Sequence, residues 1–342
     1  MADTLSVRPI VMERTGLSRD ALAGEVAVIT GGGGNIGLGT ARSLAWLGAK
    51  IVIAQRTPQT GSEAAALIDR ENKPGTALFV QTDVADRESV NAMARQAIDR
   101  FGKVDILLNN AMPMGIGGQT ILGTDVDVLD KQYAVSTRGT LLCLQAFVPA
   151  MRERKHGVVS YLATGFRGNG TYFPIKASAS VMMMNLAAEL GDVKESGIAV
   201  FMMVPGWVGV PHPVPPQGGP LRNPFLGINV GYDGLMPPED LGAALAYAIV
   251  HAAEIHGSGI TSGQVHKYLN WPFPRPDLVP KVDLDRIRDA VAVRLFGYLG
   301  PGLVRPGDTK ISVNRSDAVP GEPTNFMAFM ASEGARKGTS NK

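Results

Sequence analysis

The stretch Thr30-Gly-Gly-Gly-Gly-Asn-Ile-Gly-Leu-Gly39 decides how the rest of the chain is read. An apolar run at 26–29 precedes it, and a helical pattern at 35–47 follows it. A strand, a glycine turn and a helix in this order let the backbone approach a pyrophosphate and direct helix N–H groups at it. Consecutive glycines also occur in flexible loops and in tight turns that bind nothing. The flanking strand and helix favour dinucleotide binding over those alternatives.

Strands and helices alternate along the chain after this turn. We expect strands at 26–29, 50–55, 77–81, 104–108, 158–162 and 198–204, and helices at 35–47, 62–70, 87–101, 127–154, 172–193 and 239–251. Most of the strands are apolar throughout, which is typical of a parallel sheet covered on both faces. The sequence therefore predicts an α/β fold with a doubly wound, Rossmann-like parallel sheet. We place it in a single domain at 25–270.

Four segments lie outside this alternation or close it. Residues 1–24 are expected to form an N-terminal arm lying outside the main fold, and 264–268 to form a last strand. The segment 207–238 is rich in Pro and Gly, and a loop of this length is usually functional. We interpret it as a substrate lid. Residues 271–342 are expected to form a C-terminal extension with one helix at 283–299.

Composition excludes several classes of protein. The 33 Lys and Arg residues nearly balance the 31 Asp and Glu residues, and the net charge of +2 gives no reason to expect nucleic acid or a membrane surface as partner. We see no signal peptide and no transmembrane span. The single cysteine, Cys143, lies in an apolar run, which indicates a buried residue and a reducing, cytoplasmic compartment. No metal is predicted, because ligand spacing is absent among His156, His212, His251, His256 and His266.

The end of the second strand indicates which nucleotide is preferred. An acidic residue there would bind the ribose hydroxyls and repel a 2′-phosphate. The chain has Gln55, Arg56 and Thr57 at this place and no acid. Arg56 is therefore expected to meet a 2′-phosphate, which favours NADP over NAD. The alternative is that Arg56 is a solvated surface charge.

Tyr172 and Lys176 lie four residues apart at the start of a predicted helix, and so on one face of it. A free tyrosine, with a pKa near ~10, is a poor base at neutral pH. A neighbouring ammonium stabilises the phenolate and lowers that pKa. Such a tyrosine can exchange a proton with a carbonyl or alcohol oxygen. The spacing alone also occurs in ordinary helix pairs, and its place after the fifth strand is what favours catalysis.

Together these motifs resemble the short-chain dehydrogenase/reductase family over about 24–268. The resemblance implies a cofactor turn at 30–37, an adenine-contacting pair at 83–84, a segment at 109–111 that resembles the family's Asn-Asn-Ala-Gly, a catalytic Tyr-Lys pair, and a Pro-Gly turn beside the nicotinamide. The cofactor-binding residues that it implies are Thr30, Gly31, Gly34, Asn35, Ile36, Gly37, Arg56, Asp83, Val84, Asn110, Ala111, Tyr172, Lys176, Pro205 and Gly206.

Several positions depart from the family pattern. Asn35 stands in place of the usual middle glycine, and Met112 replaces the last glycine of the Asn-Asn-Ala-Gly segment. Thr164 occupies the position of the serine that holds the substrate oxygen, and its hydroxyl preserves that chemistry. The segment from Thr164 to Tyr172 is shorter than in the family. Ser136 stands where the family has an asparagine that supports a water relay to the lysine.

The resemblance implies NADP-linked interconversion of a carbonyl and an alcohol, with Tyr172, Lys176, Thr164 and Ser136 as catalytic residues. It also implies a homodimer or homotetramer built on the two long helices. Apolar residues near the expected pocket indicate a small-molecule substrate with an apolar portion, and these are Met112, Met114, Phe166, Phe173 and Trp207. Arg138 and Arg167 are interpreted as surface residues rather than ligands of an acidic substrate.

Two alternatives remain open from the sequence. A nucleotide-binding sensor or scaffold without turnover would explain Ser136 and the short catalytic segment. The same site could also serve a non-redox or multistep reaction such as elimination or isomerisation.

Overall fold

The structure is a computed structural model that describes residues 7–113, 120–164, 170–205, 208, 236–269 and 271. Within these ranges, one parallel sheet is formed by β1 Val26–Thr30, β2 Lys50–Gln55, β3 Ala77–Gln81, β4 Ile106–Asn109, β5 Gly157–Leu162, β6 Ile198–Val204 and β7 Gly259–Thr261. The strand order is β3-β2-β1-β4-β5-β6-β7. The chain therefore reverses its winding between β1 and β4, and in such sheets ligands bind at the carboxyl ends of the strands at this point.

Helices cover both faces of the sheet. They are α1 Asn35–Trp46, α2 Pro58–Glu71, α3 Arg87–Phe101, α4 Val126–Gln132, α5 Gly139–Arg154, α6 Tyr172–Leu190, α7 Val193–Ser196, α8 Pro238–Val250 and α9 Ser262–Tyr268. Short 3₁₀ helices lie at Met12–Thr15 and Ala252–Ile255. The predicted α/β fold with a doubly wound parallel sheet is confirmed.

The core consists of two apolar layers, one on each face. In β1, Ala27 and Ile29 join the layer under α1 and α8, whereas Val26 and Val28 join the layer under α5 and α6. Successive side chains of a strand point to opposite faces, so a strand that is buried on both faces is apolar throughout. This is why the uninterrupted apolar runs predicted the strands correctly.

Helices α1 and α8 cross at very short range, because glycines face each other at the crossing. A Cβ on Gly39 would overlap the carbonyl of Pro238, and a Cβ on Gly242 would overlap the backbone of Gly39. Arg42 in α1 bonds to Glu239 in α8 at 3.3 Å, and both side chains are buried. Helix α8 thereby braces the helix that begins at the glycine turn.

The expectation that residues 1–24 lie outside the main fold is wrong for the described part, which begins at residue 7. Val11, Met12 and Leu22 are buried in the same apolar layer as α1 and α8. The backbone N–H of Arg8 donates to Glu239. The apolar residues of this segment are too few for a periodic pattern, so their packing on α8 could not be predicted from the sequence.

The expected last strand at 264–268 is also wrong, because these residues belong to α9. The strand is the shorter segment Gly259–Thr261, which pairs with β6. Thr261 and Gln264 form a reciprocal capping arrangement: Gln264 N–H donates to Thr261 Oγ1 at 3.1 Å, and Thr261 N–H donates to Gln264 Oε1 at 2.6 Å. A Thr-x-x-Gln pattern is typical of a helix N-terminus, so the sequence pattern 261–264 predicts the start of a helix rather than a strand.

The helix expected at 127–154 is interrupted. A π-helical segment, Tyr133–Arg138, separates α4 from α5. Such wide turns insert a residue into a helix and are frequent at functional sites. The helix expected at 172–193 ends earlier, at Leu190, because Gly191 has a φ of +68°. None of the helices in the described part of the chain has the length and apolar character needed to span a bilayer.

Candidate functional site

The glycine turn between β1 and α1 is built by close backbone contacts. Gly31 has a φ of +66°, and a Cβ there would lie 3.0 Å from Nδ2 of Asn110. A Cβ on Gly37 would overlap the Gly31 carbonyl oxygen. A Cβ on Gly34, by contrast, would meet nothing within 4 Å. The turn is therefore tightly packed on its protein side and open at Gly34, where α1 begins.

Asn35 has a φ of +47°, in the left-handed region. Among residues other than glycine, asparagine is one of those that adopt this conformation most readily. The replacement of the family's glycine by Asn35 is thereby compatible with the turn. Ile36 follows in the first turn of α1, and its carbonyl accepts from Thr40 Oγ1 at 2.8 Å.

Thr30 and Asn110 fasten the glycine turn to the end of β4. Asn110 Nδ2 donates to the carbonyls of Thr30 at 2.7 Å and Gly31 at 3.1 Å. Thr30 Oγ1 accepts from the N–H groups of Asn110 and Ala111 at 3.0 and 3.1 Å. Both side chains bond to backbone groups, so they shape the glycine turn.

Val84 lies beside this junction. It lines a small cleft together with Thr30, Asn109, Ala111, Val135, Gly139, Thr140 and Cys143. Asp83 fixes the preceding turn, because its Oδ1 accepts from Ala85 N–H at 2.9 Å and its own N–H donates to Ser89 Oγ. The structure thus brings Val84 and Ala111 together at the carboxyl end of the sheet.

Arg56 is exposed, immediately after β2. The sequence reasoning missed its neighbour Gln55, whose Oε1 accepts from Gly33 N–H at 3.4 Å and whose Nε2 donates to Thr60 Oγ1 at 3.2 Å. A Cβ on Gly33 would come within 2.8 Å of the Gln55 side chain. Gln55 therefore fixes the glycine turn from the side of β2, and an uncharged amide at this place leaves Arg56 as the charged group nearest the turn along β2.

Lys176 is almost fully buried, and its Nζ donates to the carbonyl of Leu162 at the end of β5 at 2.7 Å. Burial lowers the pKa of Lys176 to about 7. Tyr172 lies one helical turn earlier, and burial raises its pKa. The expected lowering of the Tyr172 pKa by Lys176 is therefore not met in this structure, because burial disfavours the charged phenolate and raises the pKa instead.

Ser136 lies in the π-helical segment and is fully buried, but its Oγ faces Tyr161 OH at 2.9 Å. Tyr161 in β5 is the second residue that sequence reasoning missed. Its ring lies under Lys176, with Nζ 4.7 Å from the ring centroid. Thr164, the residue expected to hold the substrate oxygen, is buried just beyond β5. Pro205 of the expected Pro-Gly turn lies just after β6, and its carbonyl accepts a hydrogen bond from Ser262 Oγ at 2.7 Å.

Some predicted residues lie outside the described ranges. They are Gly206 of the Pro-Gly turn, Met114, Phe166, Trp207 and Arg167 near the expected pocket, most of the 207–238 segment, and the C-terminal extension after Trp271. Arg138 is exposed, as expected, and it donates to the carbonyl of Ala85 at 2.7 Å.

A group of potential metal ligands lies at the opposite end of the sheet. Glu25, Asp105 and His156 bring their ligand atoms within 4.8 Å of one another. Asp105, however, already contacts Lys103 at 2.9 Å and Arg154 at 3.4 Å. Two cations of the chain itself thus already pair with Asp105, and we interpret the group as an ion-pair cluster.

The glycine turn fits a dinucleotide. Its glycines let the backbone approach closely, its open side lies at the N-terminus of α1, and such an N-terminus attracts a pyrophosphate. The half-buried phenol of Tyr172 and the buried amine of Lys176 lie along the same edge of the sheet. This arrangement can bind a nucleotide and exchange a proton with a substrate oxygen.

The chain is similar in sequence to known oxidoreductases. A sequence model of the short chain dehydrogenase family matches residues 25–213, which is more than half of the chain. A trans-4-hydroxycyclohexanecarboxylate dehydrogenase from Sinomonas cyclohexanicum is 32% identical over 200 residues, covering 56% of this chain and 75% of that protein.

The chain is also similar in structure to solved dehydrogenases and reductases. L-sorbose reductase from Gluconobacter frateurii, in complex with NADPH and L-sorbose, superposes with a TM-score of 0.60 at 25% identity and covers 71% of this chain and 97% of that one. A 7α-hydroxysteroid dehydrogenase in complex with NADH, at 24% identity and a TM-score of 0.59, covers 72% and 95% and shares the fold.

Proposed function

The chain belongs to the short chain dehydrogenase family of oxidoreductases acting on CH–OH and C=O groups, and from this premise we propose that it interconverts a carbonyl and an alcohol with NADP as its cofactor. The substrate is a small molecule with an apolar portion. The observation that carries the proposal is the placement of Tyr172 and Lys176 one turn apart on α6, with the buried Lys176 amine bonded to the end of β5, next to the strand that fastens the glycine turn.

In this proposal Tyr172 is the acid/base. Burial raises its pKa, so the phenol is protonated at neutral pH and can donate to a carbonyl oxygen. Proton acceptance from an alcohol requires the phenolate and therefore a higher pH. The nicotinamide, when bound, supplies or accepts the hydride. Thr164 holds the substrate oxygen through its hydroxyl.

Lys176 has two roles in the proposal, as a ligand of the ribose and as the partner of Tyr172. The pKa of about 7 means that its charge changes near neutral pH. Ser136 supports the same region through Tyr161 rather than by direct contact with Lys176.

NADP is preferred in this proposal because Arg56 supplies a cation for a 2′-phosphate while Gln55 brings no opposing charge. The Rossmann-like domain at 25–270 carries this activity, with an extension at 271–342. Cys143 is buried, and burial raises its pKa to about 12, so its thiol is inert. A free, inert thiol is compatible with the reducing, cytoplasmic compartment that we also propose.

Tyr172→Phe is the test of this function. It retains the ring and removes the hydroxyl, so turnover with a panel of carbonyl substrates should fall by about 10²-fold or more while NADPH binding stays nearly intact. Tyr133→Phe is the matched control, because Tyr133 is 50% exposed in the π-helical segment. A Tyr172→Phe protein that keeps most of its kcat would refute the assignment.

The same panel separates the alternatives. A sensor or scaffold would bind NADPH without oxidising it under any condition. A non-redox enzyme would convert substrate without a net change in NADPH absorbance.

A further inference from the structure

The buried amine of Lys176 is contacted by a backbone carbonyl and an aromatic ring. Its Nζ donates to the Leu162 carbonyl at 2.7 Å and lies 4.7 Å from the centroid of the Tyr161 ring. Among the residues that the structure describes, no carboxylate lies within ion-pair distance of Nζ. An aromatic face attracts an ammonium group, and the attraction is stronger where water is excluded. Among the described residues, the Leu162 carbonyl and the Tyr161 ring thus favour the charged form of Lys176, and the ring is the one of the two that a side-chain substitution can change.

The Tyr161 side chain is held in place by a hydrogen bond between its hydroxyl and Ser136. Its ring is 1% exposed, and its hydroxyl pairs with Ser136 Oγ at 2.9 Å. Burial raises the pKa of Tyr161, so this hydroxyl remains protonated and serves as an anchor rather than as an acid or base. The sequence separation of 25 residues means that this bond joins β5 to the π-helical segment.

The π-helical segment is anchored in turn. Thr140 Oγ1 donates to the Ser136 carbonyl at 2.6 Å, which satisfies a backbone group in the irregular turn. Thr137 Oγ1 donates to the Ile175 carbonyl at 3.4 Å, one residue before Lys176. The π-helical segment, β5 and α6 therefore converge on the lysine amine.

We propose that Tyr161 is a positioning residue for Lys176: its ring face holds the ammonium group, and the Ser136 hydroxyl holds the ring. The proposal rests on the proposed function, in which Lys176 binds the cofactor and assists Tyr172. Ser136 then acts on the reaction through Tyr161. This arrangement explains how a serine can serve at a place where its short side chain does not reach the lysine.

The titratable groups around Lys176 in the described residues are few. β5 contributes the Tyr161 phenol, α6 contributes the Tyr172 phenol, and the π-helical segment contributes only the uncharged hydroxyls of Ser136 and Thr137. A change in the titration of Lys176 can therefore be assigned to the ring beneath it.

The decisive measurement is the titration of the Lys176 amine by NMR, in protein labelled with ¹⁵N at lysine side chains. The signal is assigned by its disappearance in Lys176→Met. Tyr161→Phe keeps an aromatic face, and 3,4,5-trifluorophenylalanine at position 161 keeps the shape while it weakens the attraction. The midpoint should fall by about one pH unit from Phe to the fluorinated ring.

Further variants separate positioning from simple packing. Tyr161→Leu should lower the midpoint at least as much as the fluorinated ring, and NADPH should bind about tenfold more weakly at pH 8 but nearly normally at pH 5. Tyr161→Phe, Ser136→Ala and the double variant should all give the same titration midpoint for Lys176, because each removes the hydrogen bond between Tyr161 and Ser136. If Tyr161→Leu fails to fold, the fluorinated series still decides the question.

Equal midpoints for Phe and the fluorinated ring would overturn the proposal, even if Tm fell. The readout needs neither cofactor nor turnover. Failure of the proposed function would instead appear as unchanged kcat in Tyr172→Phe, so the two failures are distinguishable.

Discussion

At the scale of single residues, the site depends on groups whose charge is set by burial. Lys176 and Tyr161 are buried and Tyr172 is half-buried, and removal from water favours the neutral form of each. Arg56 differs, because its side chain is exposed. In the proposed function, the protonated Tyr172 phenol donates a proton near neutral pH, and the exposed Arg56 recognises a charged ligand.

Nucleotide preference should change with Arg56. Arg56→Ala should weaken NADPH binding by about tenfold or more and leave NADH binding unchanged, since only the former loses a charge-assisted hydrogen bond. Calorimetric titration with both nucleotides measures the effect. Arg95→Ala, an exposed arginine on α3, is the control for loss of general positive charge. Equal losses for the two nucleotides would contradict the assignment.

Stability should depend on pH through His266. Burial lowers its pKa from 6.5 to about 4, aided by the nearby charge of Arg14. The unfolded chain binds more protons between these values, so stability is full above about pH 6.5 and falls as the pH drops towards 4. At pH 5 this one residue should cost about 2 kcal/mol relative to pH 7.

His266→Phe should remove that loss, because it keeps a ring against Trp271, whose centroid lies 5.1 Å from that of His266. Urea unfolding at pH 7 and pH 5 gives the comparison. His156→Gln is the control at an exposed histidine and should retain the wild-type difference. A His266→Phe protein as acid-sensitive as wild type would exclude His266 as the cause.

At the scale of elements, the positions of β1, β4 and β5 were predictable from the sequence, whereas the side-chain contacts that join β5 to the π-helical segment were not. Apolar runs and the glycine motif located the strands and the turn, because both signals are local in sequence. The hydrogen bond between Ser136 and Tyr161 joins the π-helical segment to β5, and no local sequence pattern around either residue predicts it. The capping pair of Thr261 and Gln264 is local, and it could have been recognised.

The crossing of α1 and α8 should be intolerant of any side chain at Gly39. Gly39→Ala should destabilise the protein by about 1–3 kcal/mol, because its methyl group would overlap the Pro238 carbonyl. Gly34→Ala should stay within about 0.5 kcal/mol of wild type, since the space there is open and weaker capping is offset by a less flexible unfolded chain. Urea denaturation of both variants tests the pair, and equal stabilities would refute the argument.

At the scale of the whole molecule, one face of the sheet is enclosed by the chain itself. Helix α8 is buried on all sides from Pro238 to Ile249, and the segment from residue 7 onward contributes Val11 and Met12 to its covering. The other face is covered by α5 and α6, which keep apolar side chains on their outer surface. Leu141 is 39% exposed and Val181 is 48% exposed.

Helix α6 is apolar around much of its circumference, with Met182 and Met184 half-buried beside Val181. A helix of this composition is normally buried on more than one side. We therefore propose that a second copy of the chain covers α5 and α6, giving the dimer or tetramer that the family resemblance implied. The glycine turn and Arg56 lie at the carboxyl edge of the sheet, away from this surface.

Val181→Glu should disrupt that assembly, because it would bury an unpaired carboxylate at the centre of the contact. Sedimentation velocity at micromolar concentration should show wild-type protein as a dimer or tetramer and the variant as a smaller species. Ile98→Glu is the matched control, since Ile98 is 42% exposed on α3 and lies outside the proposed contact. A wild-type monomer, or equal dissociation by both variants, would exclude this face as the interface.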